Sequence, residues 1–358
     1  MTMFLTIAVI ALIFIVIFQI AKASEYVSVL KGEDVSRRQN NKINGFLMVG
    51  FLVLGLFGVW YCNKLYYGKT LLGVDSASVE GARVDSMLWI TLAVTGFVFI
   101  ATQVILFWFA YKYQENPDRK VFYFPHNNKL EVLWTVVPAI VLTVLVVVGL
   151  RNWFLFTGEP PKEAMVVEVT GKQFNWIFRY PGKDGSFGKK YFKNIDDAGN
   201  NSLGLLWDDE LGHDDLVTDK LYLVKGRPVK LIIGSRDVIH DVGLSHFRMK
   251  MDAVPGIPTT MWFTPKYTTK EMKELTKNPD FVYEISCDQM CGNSHYSMKG
   301  IIEVLDQEEY DVMMAKQKPQ YLVANPDKDP SNAKPAAGDT TKMAAKPSEA
   351  AAKVVAKL

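Results

Sequence analysis

EISCDQMCGNSHYSM, Glu284 to Met298, is the stretch on which the reading of this chain turns. A strand-like run leads straight into Cys287, Cys291, His295 and Met298, and the chain has only 3 cysteines in all, the other being Cys62. Cys287, Cys291 and His295 follow one another at intervals of four, which on a helix would align them on one face. The Gly-Asn pair directly after Cys291 instead argues for a ligand loop closing a strand. Two thiolates, an imidazole and a thioether form a soft donor set that selects copper over magnesium or calcium. The residues alone leave alternatives open. Two cysteines with histidines also suit a structural zinc ion, the cysteines could pair as a disulfide in an oxidising compartment, and Met298 could be a core residue. One thiolate with two histidines and a weak methionine would make a mononuclear blue-copper site, whereas a second thiolate allows two sulfurs to bridge two ions.

A second histidine has to come from elsewhere. SRDVIHDVGLSHFRMKMDAVPG, Ser235 to Gly256, offers His240 and His246. His240 follows the apolar run VKLIIGSRDVI and is expected at a strand end, with a well-fixed backbone; His246 lies in a more polar run. Other β-rich runs, AMVVEVTG, FNWIFRYP, KLYLVKGRPVKLIIGS and DFVYEISC, are bounded by Gly, Pro, Asp or Asn. They predict a β-sandwich over residues 159–317. A polar insert near 182–220 should form a long loop, and its acidic WDDELGHDD, Trp207 to Asp215, reads either as a solvated face or as a surface that steers a basic partner. Leu305–Gln317 reads as a short helix. From Lys318 to the end, the Lys/Ala/Pro-rich sequence predicts disorder.

Upstream, apolar runs Met3–Ile20, Ile43–Cys62, Met87–Tyr111 and Val132–Phe154 are each long enough for a transmembrane helix. Basic residues lie between the first two (Lys22, Lys31, Arg37, Arg38, Lys42) and between the last two (Lys112, Arg119, Lys120, Lys129). The positive-inside rule puts both loops in the cytoplasm and the β domain outside. AKAS, Ala21 to Ser24, resembles a signal-peptidase site, but no basic residue precedes the apolar run, and cleavage would reverse the predicted side of the β domain, so a retained helix is expected. The divisions are then two N-terminal helices over 1–70, two anchor helices over 71–158, the β domain over 159–317 and the tail over 318–358. The formal net charge of +2 gives no reason to expect a nucleic-acid partner.

Four separated motifs resemble cytochrome c oxidase subunit 2, the family that carries the dinuclear CuA centre: KLEVLWTVVPAIVL (Lys129–Leu142), GKQFNWIFRY (Gly171–Tyr180), DVIH with KMDAVPG, and CDQMCGNSHYSM. The resemblance implies a membrane-anchored all-β fold, a cupredoxin-like Greek-key sandwich behind transmembrane helices. It implies that Cys287 and Cys291 bridge two coppers, that His240 and His295 bind one each, and that Met298 and the Gln289 carbonyl are weak ligands. It implies electron input from cytochrome c through Trp176 or Phe174 and transfer to haem in subunit 1. Glu131 matches a carboxylate at the mouth of a proton path; an ordinary interfacial charge is the alternative. It also implies further oxidase subunits as partners and a multi-pass location in a bacterial inner membrane, with the β domain in the periplasm.

Gln289 stands where the family has a glutamate that reaches magnesium at the subunit 1 border, and Phe174 stands where it has its electron-accepting tryptophan. Trp176 can also be read as a core aromatic. Strand alternation puts Phe174 and Trp176 on one face. No Cys-x-x-Cys-His is present for a covalent haem, so the donor is expected to be a separate protein or subunit. A quinol oxidase subunit would lack the ligand set, a zinc module would be redox-inert, and a nitrous oxide reductase would need a further large domain.

Overall fold

The computed structural model describes residues 2–116 and 118–332. Four long helices come first: α1 (Thr2–Lys31), α2 (Glu33–Tyr66), α3 (Gly81–Lys112) and α4 (Asn128–Thr157), of 30, 34, 32 and 30 residues. All four contain a stretch long and apolar enough to cross a membrane. The all-β expectation is therefore corrected: it holds only for the domain that follows.

The first two helices outrun the predicted spans. The polar segment expected to be a loop is helical, broken only at Gly32, whose φ of +84° suits a residue without a Cβ. Lys, Arg, Glu and Gln are good helix formers, so hydropathy marks what can cross a bilayer but not where helical hydrogen bonding stops. Asn40 Nδ2 donates to Ser24 Oγ across this hairpin at 3.0 Å. Arg37 and Arg38 pair with Glu115 and Asp118 beyond α3, so the two basic connections lie at one end of the helices. At the start of α4 the Asn127 side chain caps the helix by accepting from the Leu130 N–H at 3.2 Å.

The β domain comprises β1 (Met165–Lys172), β2 (Asn175–Tyr180), β3 (Leu216–Thr218), β4 (Lys220–Val224), β5 (Val229–Ser235), β6 (His240–Leu244), β7 (Met249–Ala253), β8 (Thr259–Phe263), β9 (Tyr283–Cys287) and β10 (Lys299–Leu305). Two five-stranded sheets form, ordered β3-β2-β1-β5-β8 and β4-β10-β9-β6-β7. Val167, Val169, Leu231 and Ile233 from one sheet and Leu221, Leu223, Ile285 and Ile302 from the other alternate inward and are fully buried. Helices α5 (Thr269–Leu275) and α6 (Gln307–Ala315) cover the margins, α6 within the predicted helix.

Part of the chain expected to belong to the anchors belongs to this core. Ala77 is fully buried among the domain's apolar residues. Ser78 Oγ donates to the Phe247 carbonyl at 2.6 Å, and the Glu80 carboxylate accepts from the Thr264 N–H at 2.7 Å. The Arg248 guanidinium donates to Asp85 and to the Leu71 and Val74 carbonyls.

The insert is pinned by charge. Arg179 Nε donates to Glu168 at 2.7 Å; its Nη1 reaches Asp215 at 3.1 Å and the Gly188 carbonyl at 2.9 Å, all buried. Burial nevertheless pushes the Asp215 carboxyl up to about 6 against the pull of Arg179. Asp215 thus departs from the solvated-face reading of its acidic run. Residues 318–332, expected to be disordered, fold: α7 (Gln320–Ala324) stacks Tyr321 on His213 at 3.8 Å between ring centroids, and the Gln320 N–H donates to the Asp215 carbonyl at 2.8 Å. Three consecutive large residues, Tyr321, Leu322 and Val323, lie at the head of an otherwise polar segment whose average composition conceals them. The rest of the predicted disorder, 333–358, lies outside the described residues.

Candidate metal centre

Three segments converge at one end of the sandwich. β5 stops at Ser235, a tight turn follows, and His240 opens β6; it does not close the preceding strand as the sequence suggested. β9 delivers Cys287 as its last residue, paired with Val242 of β6. The loop after it folds back: the His295 N–H donates to the Gly292 carbonyl at 3.1 Å, the Met298 N–H to the His295 carbonyl at 3.2 Å, and the Cys287 N–H to the Met298 carbonyl at 3.1 Å. Gly292 has φ +139°, where a side chain would be strained.

The two sulfurs, Cys287 Sγ and Cys291 Sγ, lie 3.7 Å apart as free thiols. His240 Nδ1 is 3.7 Å from Cys287 Sγ, and His295 Nδ1 is 3.7 Å from Cys291 Sγ. Met298 Sδ is 3.8 Å from Cys291 Sγ, and the Gln289 carbonyl is 3.2 Å from Cys287 Sγ. The donor atoms of His240, Cys287 and Cys291 all lie within 4.8 Å of one another; His295 falls outside that group. Each imidazole thus flanks its own cysteine, with the sulfur pair between them. With metal–sulfur bonds of about 2.3 Å, two sulfurs at this separation can share an ion. His240, Cys287, Cys291 and Met298 are buried, whereas His295 is half-buried and Gln289 is exposed, so the cluster is dry on the His240 side and meets the surface on the His295 side. Burial first, and the neighbouring Cys287 second, push the Cys291 thiol up to about 11.

Two residues that sequence reasoning missed complete the site. Asp237 Oδ1 lies 2.8 Å from His240 Nε2, and Oδ2 accepts from the Gln173 N–H at 2.7 Å. Burial alone would raise the Asp237 carboxyl; hydrogen bonds from the Gln173 backbone, His240 and the Val238 N–H outweigh it and hold the group below the usual carboxylate range. The available signal was an acid three positions ahead of a candidate ligand histidine. His246 takes no part. It packs edge-on against Phe281 and Tyr283, where burial and then Arg248 lower its pKa.

The expected Phe174–Trp176 patch does not form. Phe174 sits in the turn between β1 and β2, outside both strands, so alternation does not apply to it. Trp176 is only 4 % exposed and packs edge-on to His240 at 6.0 Å between centroids, as a core aromatic does. Phe174 is half-buried, and its ring edge lies 2.9 Å from where a Cβ on Gly292 would stand. Glu131 is exposed in the first turn of α4, whose other end leads into the β domain. At 1.5 Å per residue, the helix separates Glu131 from that end by roughly 40 Å.

A β-sandwich with a two-thiolate, two-imidazole and thioether cluster, its sulfurs and one imidazole buried, carried on apolar helices, defines a membrane-anchored, metal-binding protein of the cupredoxin kind. Two family models match: "Cytochrome C oxidase subunit II, transmembrane domain" over residues 75–151 and "Cytochrome C oxidase subunit II, periplasmic domain" over residues 165–305. The chain belongs to the cytochrome c oxidase subunit II family. It is 31 % identical over 274 residues to the alternative cytochrome c oxidase subunit 2 of Bradyrhizobium diazoefficiens, covering 76 % of this chain and 89 % of that one. It is 25 % identical over 243 residues to cytochrome c oxidase subunit 2 of Cereibacter sphaeroides, covering 66 % and 76 %. Among solved structures, the periplasmic domain of subunit II of cytochrome oxidase from Bradyrhizobium japonicum is 23 % identical, with a TM-score of 0.30, over 43 % of this chain and 94 % of that one. Helices α1 and α2 precede the matched residues.

Proposed function

We propose that this chain is the electron-accepting subunit of its oxidase, taking single electrons from a cytochrome c through a dinuclear copper centre and passing them to haem in subunit 1. The observation that carries this is the placement of one imidazole beside each of two neighbouring sulfurs. A single tetrahedral zinc would draw both imidazoles into one shell, whereas here each imidazole lies beside a different sulfur.

Cys287 and Cys291 would bridge the ions, His240 and His295 would bind one each, and Met298 and the Gln289 carbonyl would be weak ligands. Two bridged coppers supply one-electron redox chemistry with the charge shared over both ions. The chain supplies rigidity: strands β6 and β9 hold two ligand arms, Asp237 orients His240, and burial keeps water from the sulfurs and from His240. Gln289 has no carboxylate, so a magnesium link through that side chain is not part of this reading. Glu131, at the far end of α4, suits the mouth of a proton path in subunit 1. The basic connections at one end of the helices suit the cytoplasmic side of a bacterial inner membrane, with the β domain in the periplasm.

The test is copper content and electron paramagnetic resonance of the full-length chain in detergent. Two coppers per chain, with one unpaired electron delocalised over both nuclei, are expected. One copper with a blue-copper spectrum, or zinc alone without copper uptake, would overturn the reading.

A further inference from the structure

We propose that Gln173 is a positioning residue of the metal centre, clamping the His240 arm to the Cys291 arm. This rests on reading the site as a copper centre. Gln173 hydrogen-bonds to neither sulfur nor imidazole, yet it bonds to both arms. Its backbone N–H donates to Asp237 Oδ2 at 2.7 Å, and Asp237 Oδ1 is 2.8 Å from His240 Nε2. Its side-chain Nε2 donates to the Cys291 carbonyl at 2.5 Å. One residue in the β1–β2 turn therefore sets the carboxylate that orients one ligand and the peptide plane that carries the other.

Two further observations fit a clamp. A Cβ on Gly292 would come within 2.9 Å of Gln173 Nε2, so the ligand loop has a glycine where the amide passes. The turn is itself anchored: Asp197 of the insert takes Lys172 Nζ at 3.3 Å and both Arg236 nitrogens at 2.9 and 2.7 Å, which ties together the neighbours of Gln173 and Asp237. Ligand-orienting partners of this sort typically change metal affinity about 10- to 100-fold when removed.

The test uses the copper-loaded full-length chain and compares Gln173→Glu and Gln173→Ala with the parent and with Glu308→Ala, an exposed position on α6. Gln173→Glu keeps size and the backbone bond but sets a carboxylate oxygen against the Cys291 carbonyl. Copper release to an excess of chelator should be about 10- to 100-fold faster in both Gln173 variants, with altered copper hyperfine splitting, and near the parent rate in Glu308→Ala. Thermal unfolding of the metal-free variants should match the parent. Parental release rates and hyperfine splitting in both Gln173 variants would overturn the clamp alone. So would loss of the metal-free fold in both, since Gln173 would then be holding the domain and not the site. A parent chain that takes up no copper would overturn the copper reading and the clamp together.

Discussion

Asp237 Oδ1 lies 2.8 Å from His240 Nε2, and the opposite ring nitrogen, Nδ1, faces Cys287 Sγ at 3.7 Å. An ionised carboxylate favours the proton on Nε2 and leaves the Nδ1 lone pair toward the sulfur pair, so the acid sets which nitrogen faces the sulfurs. His240 is fully buried, which removes competing hydrogen bonds from water.

The two upstream histidines should separate cleanly. His240→Ala removes a donor that faces Cys287, whereas His246→Ala removes a ring packed on Phe281 and Tyr283. The copper spectrum of the full-length chain is expected to be lost or strongly altered in the first variant and retained in the second. Equal loss in both would refute the ligand choice.

Copper binding should strengthen with pH. The Cys291 thiol sits at about 11 without metal, so binding as a thiolate must displace its proton at neutral pH. Each proton displaced weakens apparent affinity about tenfold for every unit that pH falls. Chelator competition between about pH 6 and 8 should show this slope; affinity independent of pH would argue against thiolate ligation.

Phe174 and Trp176 should behave differently. Trp176→Ala empties a buried site beside His240 and is expected to cost about 3–5 kcal/mol of stability and to disturb the copper spectrum. Phe174→Ala, at a half-buried turn over Gly292, should leave the spectrum intact. It should slow electron uptake from cytochrome c roughly tenfold, equivalent to about 1.4 kcal/mol of barrier. Stopped-flow oxidation of reduced cytochrome c by the assembled oxidase, with an unchanged rate in Phe174→Ala, would remove that residue from the path.

Arg179 holds two buried carboxylates, Glu168 at 2.7 Å and Asp215 at 3.1 Å. Arg179→Met would leave both without their shared cation, a loss of about 3–5 kcal/mol when one partner of a buried pair is removed. Denaturant unfolding should show a lowered midpoint, and the insert should become sensitive to protease. A variant as stable as the parent would show that the network is energetically neutral.

Reporter fusions test the topology. A fusion near Asn40 should report the cytoplasm and one after Lys162 the periplasm, because the α1–α2 hairpin and the α3–α4 connection share one end of the helices. Both fusions reporting the same compartment would refute this arrangement.

The soft donor types of the metal-binding cluster, the four apolar helices and the presence of a β domain were legible in the sequence because each leaves a local mark. Thiolates and imidazoles cluster at short spacing, apolar runs reach bilayer length, and β-branched residues alternate between turn residues. Helix ends were not legible at Ala21–Lys42, where polar residues with high helix propensity carry the helix past its apolar stretch. Nor were Ala77 and Tyr321–Val323, a few residues within segments whose average character is different. Asp237 and Gln173 escaped for another reason. Their roles depend on a turn between two strands meeting a loop 118 residues away from Gln173, and only the packed sandwich brings those atoms within hydrogen-bond reach. Sequence determined which donors this protein has for a metal; the tertiary structure decided which nitrogen of His240 faces the sulfurs, because an imidazole's orientation is set by the partner on its other side.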